Sequence, residues 1–178
     1  SAFRLHRSLR KTLQRFRANA ACEIRINSAF GKVIRACSST PRDGQNGTWI
    51  VPDMVTAYEA LHAQGMAHSV ETWVDGKLAG GLYCVAIGRA VFGESMFSHA
   101  TDASKIALAA LVCMCRRNGV ELIDCQQNTS HLASLGAREM PREEFLQHVQ
   151  SQCARPPIPW HFEPVYWNEL LQSPALTA

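Results

Sequence analysis

No uninterrupted apolar run in this chain approaches the roughly 20 residues that a membrane-spanning helix needs. The opening SAFRLHRSLRK carries charge without the apolar stretch of a secretory leader. No pair of cysteines has the CxxC spacing of a zinc or redox motif, and Cys113 and Cys115, two apart, would diverge on a helix. The cysteines number seven, an odd count scattered through apolar segments. Free thiols in a reducing compartment are therefore expected, with the cytoplasm as the address. Neither an internal repeat nor a clear domain linker is present. Acids are missing from the amino terminus, where none precedes Glu23, while Arg4, Arg7, Arg10, Lys11, Arg15 and Arg17 fall within the first 17 residues. That block exceeds the net charge of +3 of the whole chain, so the remainder is mildly acidic.

What is present suffices for one domain with a substantial core, or one domain and a short appendage: 178 residues, 47% hydrophobic and 19% charged. Residues 3–17 read as an amphipathic helix, with Leu5, Leu9, Leu13 and Phe16 on one face. Arg4, Arg7, Lys11 and Arg15 cluster nearly opposite. Like charges at such spacings repel, and a phosphate backbone would relieve the repulsion. The plainer alternative is a solvated helix face.

Further on, Cys22 to Ile26 alternates like a strand, and Ala29 to Ser38 has helical spacing. Residues 39–47 (STPRDGQNG) form a turn-rich loop. A helix over 53–64, with Pro52 in its first turn, carries Met54, Val55, Tyr58 and Leu61 and ends at Gly65. Three strands are expected at Ala67 to Val74, Leu78 to Ile87 and Ala90 to Phe97. Asp75-Gly76 and Gly88-Arg89 supply their hairpin turns, which predicts an antiparallel meander. A helix over Asp102 to Arg117, capped by Asp102 or Ser104, leads into a strand over Val120 to Gln126. A short helix at Thr129 to Leu135 and another at Glu143 to Val149 follow, and PVYWNELLQ reads as a peripheral segment.

Two polar clusters interrupt the apolar centre: Gly93-Glu94-Ser95-Met96-Phe97 at one strand end and Asp124-Cys125-Gln126 at another. Carboxylates near a core need a partner or a task. Asp124 and Gln126, two apart on an extended segment, would share a face. A capping aspartate and a strand-end ion pair at Glu94 are the structural alternatives.

Meander, helix and strand together give an α+β chain with flanking helices, in the pattern of GNAT-like acyltransferases. Those enzymes hold the coenzyme A pyrophosphate at a Gly-rich helix start. Here that stretch, Ser98 to Ser104, has no glycine and includes Asp102, so another acyl donor is expected. TWI at 48–50, AHSVE at 67–71, GGLY at 80–83, GESMFS at 93–98, ASK at 103–105, LIDCQ at 122–126 and HLASLGAREMPR at 131–142 resemble leucyl/phenylalanyl-tRNA–protein transferases, as does FRLHRSLRK near the amino terminus. The match runs from about residue 3 to about residue 150.

That resemblance implies a cytoplasmic enzyme without cofactor or metal. It would transfer Leu or Phe, and Met more weakly, from Leu-tRNA or Phe-tRNA to the α-amino group of proteins with N-terminal Arg or Lys, marking them for N-degron degradation. It also implies that most of the family's small amino-terminal domain is missing. The expected layout is a basic helix (1–20), a GNAT-like aminoacyltransferase domain (21–155) and a carboxyl-terminal tail packed on it (156–178), acting as a monomer away from membranes. By the same resemblance Asp124 and Gln126 are the catalytic pair. Glu94 binds substrate, and Leu82, Met96, Leu108, Leu111 and Ile123 contribute to an apolar pocket for the donor side chain. Trp49 stacks on the terminal adenine, and Ser98 and Thr129 make polar contacts. From their clustering of charge, Arg4, Arg7, Lys11 and Arg15 are expected to meet the tRNA backbone. The competing readings are a non-catalytic tRNA-binding remnant and an acyl-CoA-dependent N-acetyltransferase.

Overall fold

The computed structural model describes residues 3–40, 50–127 and 129–172. Its centre is a five-stranded sheet in the order β1 (Cys22–Ile26), β2 (Ala67–Val74), β3 (Lys77–Ile87), β4 (Ala90–Ser98) and β5 (Ile123–Asp124). The first four strands are antiparallel neighbours, and β5 runs parallel to β4. The meander is the one that Asp75-Gly76 and Gly88-Arg89 predict. Both glycines and Asp75 adopt positive φ, as two-residue hairpin loops require. The architecture is α+β, with meander, helix and strand in the expected order.

Alternation along β3 divides the core. Leu82 and Cys84 belong to a cluster formed with the helix α4 (Ala103–Arg117), and Tyr83 belongs to a second cluster with α2 (Phe30–Ser39). Helix α4 is buried from Ile106 to Cys115 almost all round, as a helix without a polar face must be. One side of it lies on the sheet and the other is covered by the carboxyl-terminal segment, while Leu9, Leu13 and Phe16 of α1 (Arg7–Ala18) join the same cluster. Helix α3 (Pro52–Ala63) sits beside α2 on the opposite face.

Four expectations need correction. The amino-terminal helix begins at Arg7, not residue 3. The preceding residues are tied to the chain elsewhere, with the Arg4 N–H donating to the Leu135 carbonyl at 2.8 Å and His6 Nε2 lying 2.7 Å from the Ser134 carbonyl. Arg4 is therefore off the helix, whereas Arg7, Lys11 and Arg15 remain on its exposed face. Neither Asp102 nor Ser104 caps α4 with its side chain. Asp102 is in the left-handed region and pairs with Lys105, and it is Ser98 Oγ that accepts from the Ser104 N–H at 3.2 Å.

The strand expected over Val120 to Gln126 shrinks to two residues, because its pairing with β4 stops at Phe92. Finally, PVYWNELLQ is not peripheral. Tyr166, Trp167 and Leu170 are buried, and Trp167 meets Phe16 edge-on at 6.1 Å. Arg10 donates to the Leu171 carbonyl, Arg116 to that of Glu169, and Arg17 to Asn168 Oδ1. Two of the amino-terminal cations, half-buried Arg10 and exposed Arg17, thus tie the tail to α1.

Candidate functional site

A cleft of about 870 Å³ opens between β5, α4 and the two helices that follow, α5 (Ser130–Ser134) and α6 (Arg142–Cys153). Its walls mix apolar side chains, including Phe3, Leu108, Val112 and Phe145, with Glu121, Arg138, Arg142 and Glu144. Asp124, Gln126 and Ile123 line it where β5 ends.

The two polar residues meet through a turn rather than by sharing a strand face. Asp124 Oδ1 accepts the Gln126 N–H at 2.8 Å, which draws the backbone out of the sheet and places Gln126 at φ +60°. A non-glycine residue in that conformation is held against its preference, which is commonest at functional positions. Gln126 Nε2 then donates to the Gly93 carbonyl on β4 at 3.1 Å. The turn is pinned to the neighbouring strand at the residue before Glu94. These bonds occupy one oxygen of Asp124 and the amide nitrogen of Gln126. Asp124 Oδ2 and Gln126 Oε1 make no hydrogen bond among the described residues, so each residue keeps an acceptor atom at the cleft.

Glu94 stands at a bulge. Gly93 pairs with Cys84 and Ser95 with Tyr83, so Glu94 is the extra residue on β4. Such an insertion re-aims a side chain relative to the strand. Its carboxylate accepts from the Tyr58 hydroxyl at 2.9 Å. Burial, then this bond and the charge of Glu94, pushes the Tyr58 hydroxyl well above the ordinary phenol range. Met96, two residues on, packs against the cluster beneath α4 instead. The two residues of GESMF expected to act together therefore approach β4 from different faces.

The remaining candidates separate further. Leu108 and Ile123 line the cleft, whereas Leu82 and Leu111 are buried behind it at 3% and 1% exposure. Ser98 donates to the Ala100 carbonyl and serves the start of α4, beside a hollow that includes His99 and Asp102. Thr129 caps α5 by accepting the Leu132 N–H. Trp49 lies outside the described residues. Arg7, Lys11 and Arg15 are exposed and make no ion pair among the described residues, and Arg4 is exposed beside them in sequence.

Arg138 and Arg142 of the HLASLGAREMPR stretch also line the cleft, and no spacing or periodicity singles them out. His148 lines it too, with its Nε2 buried and without a hydrogen-bond partner among the described residues. Tyr58 belongs by its spacing to an apolar helix face, and only the fold brings it to Glu94. Among the described residues no group of three or more His, Cys, Asp or Glu could hold a metal, and no helix is long and apolar enough to cross a membrane.

Comparison with known proteins agrees with the motif reading. The family model described as leucyl/phenylalanyl-tRNA protein transferase matches residues 1–150. A leucyl/phenylalanyl-tRNA–protein transferase from a Polaromonas species is 63% identical over 169 residues, covering 95% of this chain and 66% of the relative. Proteins of the same name from Albidiferax ferrireducens and Methylibium petroleiphilum are 60% and 59% identical, with 66% and 64% of their lengths covered. The chain thus spans just under two thirds of the length of these curated relatives. Among solved structures, an aminoglycoside N-acetyltransferase in complex with CoA aligns over 80% of this chain and 92% of its own, with a TM-score of 0.43 and 15% identity.

Proposed function

The chain belongs to the leucyl/phenylalanyl-tRNA protein transferase family, and from that premise we propose that it transfers Leu or Phe, and Met more weakly, from aminoacyl-tRNA to the α-amino group of proteins beginning with Arg or Lys. The observation that carries the proposal is the Asp124–Gln126 turn, pinned to β4 at the end of the cleft. The reaction is aminolysis of an ester. The acceptor nitrogen attacks the aminoacyl carbonyl, a tetrahedral intermediate forms, and the ribose oxygen of the tRNA leaves with a proton while the peptide bond is made.

A terminal amine has a pKa of about 7.7–8.0, so much of it is already neutral near pH 7.5. The acyl ester is activated before it arrives. Positioning and stabilisation of developing charge are therefore what the protein must add. Asp124 Oδ2 and Gln126 Oε1 accept from the attacking N–H groups and favour the positive charge that grows on nitrogen. Leu108 and Ile123 contribute to the apolar surface for the donor side chain, with Met96, Leu82 and Leu111 packed beside or behind it. In such a pocket one methylene is worth only about 1–3 kcal/mol, so selection among Leu, Phe and Met is graded.

Arg7, Lys11 and Arg15, with Arg4 beside them, form the contact to the tRNA backbone, and Trp49 stacks on the terminal adenine. Ser98 and Thr129 serve chiefly their helix starts. The protein acts as a monomer in the cytoplasm, and its products enter N-degron degradation. An acyl-CoA donor is disfavoured by Asp102, whose carboxylate stands where the α4 start would have to accept a pyrophosphate. The deciding experiment follows radiolabelled Leu from Leu-tRNA to an acceptor with N-terminal Arg, using this chain and its Asp124→Ala variant. Transfer by the wild type and a loss of at least about 100-fold in the variant are expected. Equal rates would remove Asp124 from the chemistry. A thermal shift with acetyl-CoA, and none with aminoacyl-tRNA, would replace the reading by the acetyltransferase one.

A further inference from the structure

We infer that Tyr58 is a positioning residue for this transfer: it holds one oxygen of Glu94 so that the other is presented to a substrate ammonium group. The inference rests on the transfer reading above. Its geometric basis is the bulge in β4, where Glu94 has no partner in the β3 ladder and its side chain needs another constraint to keep one direction. The Tyr58 hydroxyl supplies that constraint by donating to Glu94 Oε2 at 2.9 Å.

The hydroxyl is itself well supported. The Tyr58 ring stands edge-on to fully buried Tyr83 at 5.0 Å, and Tyr83 meets Phe30 edge-on at 6.1 Å. Phe30 is stacked on His62, one turn along α3 from Tyr58, at 4.3 Å. An aromatic column from α2 through β3 thus closes back on the helix that carries Tyr58. Because burial and the Glu94 charge keep the phenol protonated, Tyr58 always donates and Glu94 accepts. Glu94 Oε1 makes no hydrogen bond among the described residues. The neighbouring Gly93 carbonyl receives Gln126 Nε2, which ties the bulge to the catalytic turn. Glu94 does not itself line the cleft but follows directly on the residue that anchors Gln126, and a carboxylate oxygen there suits an ammonium group, either that of the aminoacyl end or that of the acceptor protein.

The test compares wild type, Tyr58→Phe, Glu94→Gln and the double variant, varying Leu-tRNA and an Arg-initiated peptide separately. Tyr58→Phe keeps the ring and the column and loses only the hydroxyl. The expected result is a KM raised about tenfold for one substrate, kcat changed by less than about threefold, and a double variant no worse than Glu94→Gln. A raised KM for Leu-tRNA assigns the ammonium to the donor, and a raised KM for the peptide assigns it to the acceptor. Unchanged KM values, or losses that multiply in the double variant, overturn the inference.

The 13Cζ signal of labelled Tyr58 at neutral pH tests the bond without catalysis. It shifts in Glu94→Gln if the hydroxyl donates to the carboxylate, and an unmoved signal overturns the inference. If the wild type transfers nothing, the transfer reading fails by itself. Calorimetry with amide-linked leucyl-adenosine and with the peptide then decides the positioning role: about tenfold weaker binding of one of them to Tyr58→Phe upholds it, and equal affinities overturn it.

Discussion

Replacing Glu71 by Ala would remove a carboxylate that is fully buried yet accepts four hydrogen bonds. Oε1 accepts from the Ala29 N–H at 2.8 Å and the Ser69 hydroxyl at 2.7 Å, and Oε2 accepts from the Trp73 indole N–H at 2.9 Å and the Ser28 hydroxyl. These bonds join the turn between β1 and α2 to the middle of the sheet. In Glu71→Ala the two serine hydroxyls can rotate to other acceptors, but the Ala29 and Trp73 N–H groups cannot. Each buried donor left without a partner costs about 1–3 kcal/mol. Removing one partner from a buried charged network costs about 3–5 kcal/mol in total, and we expect Glu71→Ala to fall in that range.

Glu71→Gln keeps the shape but presents an NH2 group to two of the four donors, so about 2–3 kcal/mol is expected. For a chain of this length 1 kcal/mol corresponds to about 2–4 °C in Tm, which puts Glu71→Ala roughly 6–20 °C below wild type. Urea unfolding followed by circular dichroism measures the loss. Hydrogen exchange should show faster opening at Asn27 to Phe30 before any change in α4. A Glu71→Ala variant within about 1 kcal/mol of wild type, or uniform loosening without a local effect, would refute this account of the carboxylate.

Gly88 has φ +57°, and a Cβ there would lie 2.6 Å from the carbonyl oxygens of Gln152, Cys153 and Arg155. Gly88→Ala should therefore destabilise the fold by more than about 2 kcal/mol in urea, and a neutral result would mean that the end of α6 yields easily. Replacing Arg7, Lys11 and Arg15 by Gln should weaken tRNA binding and lower the slope of log affinity against log salt by about 3. An unchanged slope removes this helix face from the backbone contact. Burial, aided by the nearby His62 and opposed by a backbone bond at Gly65, lowers the pKa of His68 to about 4. The unfolded chain thus takes up a proton near pH 6.5 that the folded chain refuses until about 4, so stability is full above 6.5 and falls by roughly 3 kcal/mol as pH drops to 4. His68→Phe, which keeps a ring against Trp160, should flatten that part of the pH–stability curve.

Much of the fold could be read in the sequence because local chemistry and tertiary structure agree there. The hairpins at Asp75-Gly76 and Gly88-Arg89 place β2, β3 and β4 within a residue of their expected ends, since few other dipeptides tolerate the required φ values. Helix α4 is equally legible from its Ala- and Leu-rich run between an aspartate and Asn118-Gly119. A carboxyl-terminal tail packed on the domain is expected, but the depth to which PVYWNELLQ is buried is not legible. Tyr166, Trp167 and Leu170 are too few and too near Pro164 to announce a buried face, and their burial depends on carbonyl bonds from Arg10 and Arg116, far away in sequence. The same contacts separate Arg10 and Arg17, which bond to the tail, from Arg7, Lys11 and Arg15, which face solvent without an ion pair among the described residues, a distinction that counting charge cannot make.

At the candidate site, residue types were legible and geometry was not. An extended segment would have put Asp124 and Gln126 on one face by alternation, but β5 ends at Asp124 and the two are joined by the aspartate's own bond to the Gln126 N–H. A bulge is defined by the partner strand, so nothing local in GESMF reveals that Glu94 is the inserted residue. These two departures from regular strand geometry are linked physically. Pairing between β4 and β5 stops at Phe92, so the Gly93 carbonyl is available to Gln126 Nε2, and the next residue on β4 is the bulged Glu94. Had β5 continued as an ordinary strand, the ladder would have claimed that carbonyl and Gln126 would have lost its anchor. The early end of the sheet is therefore what gives the site its shape.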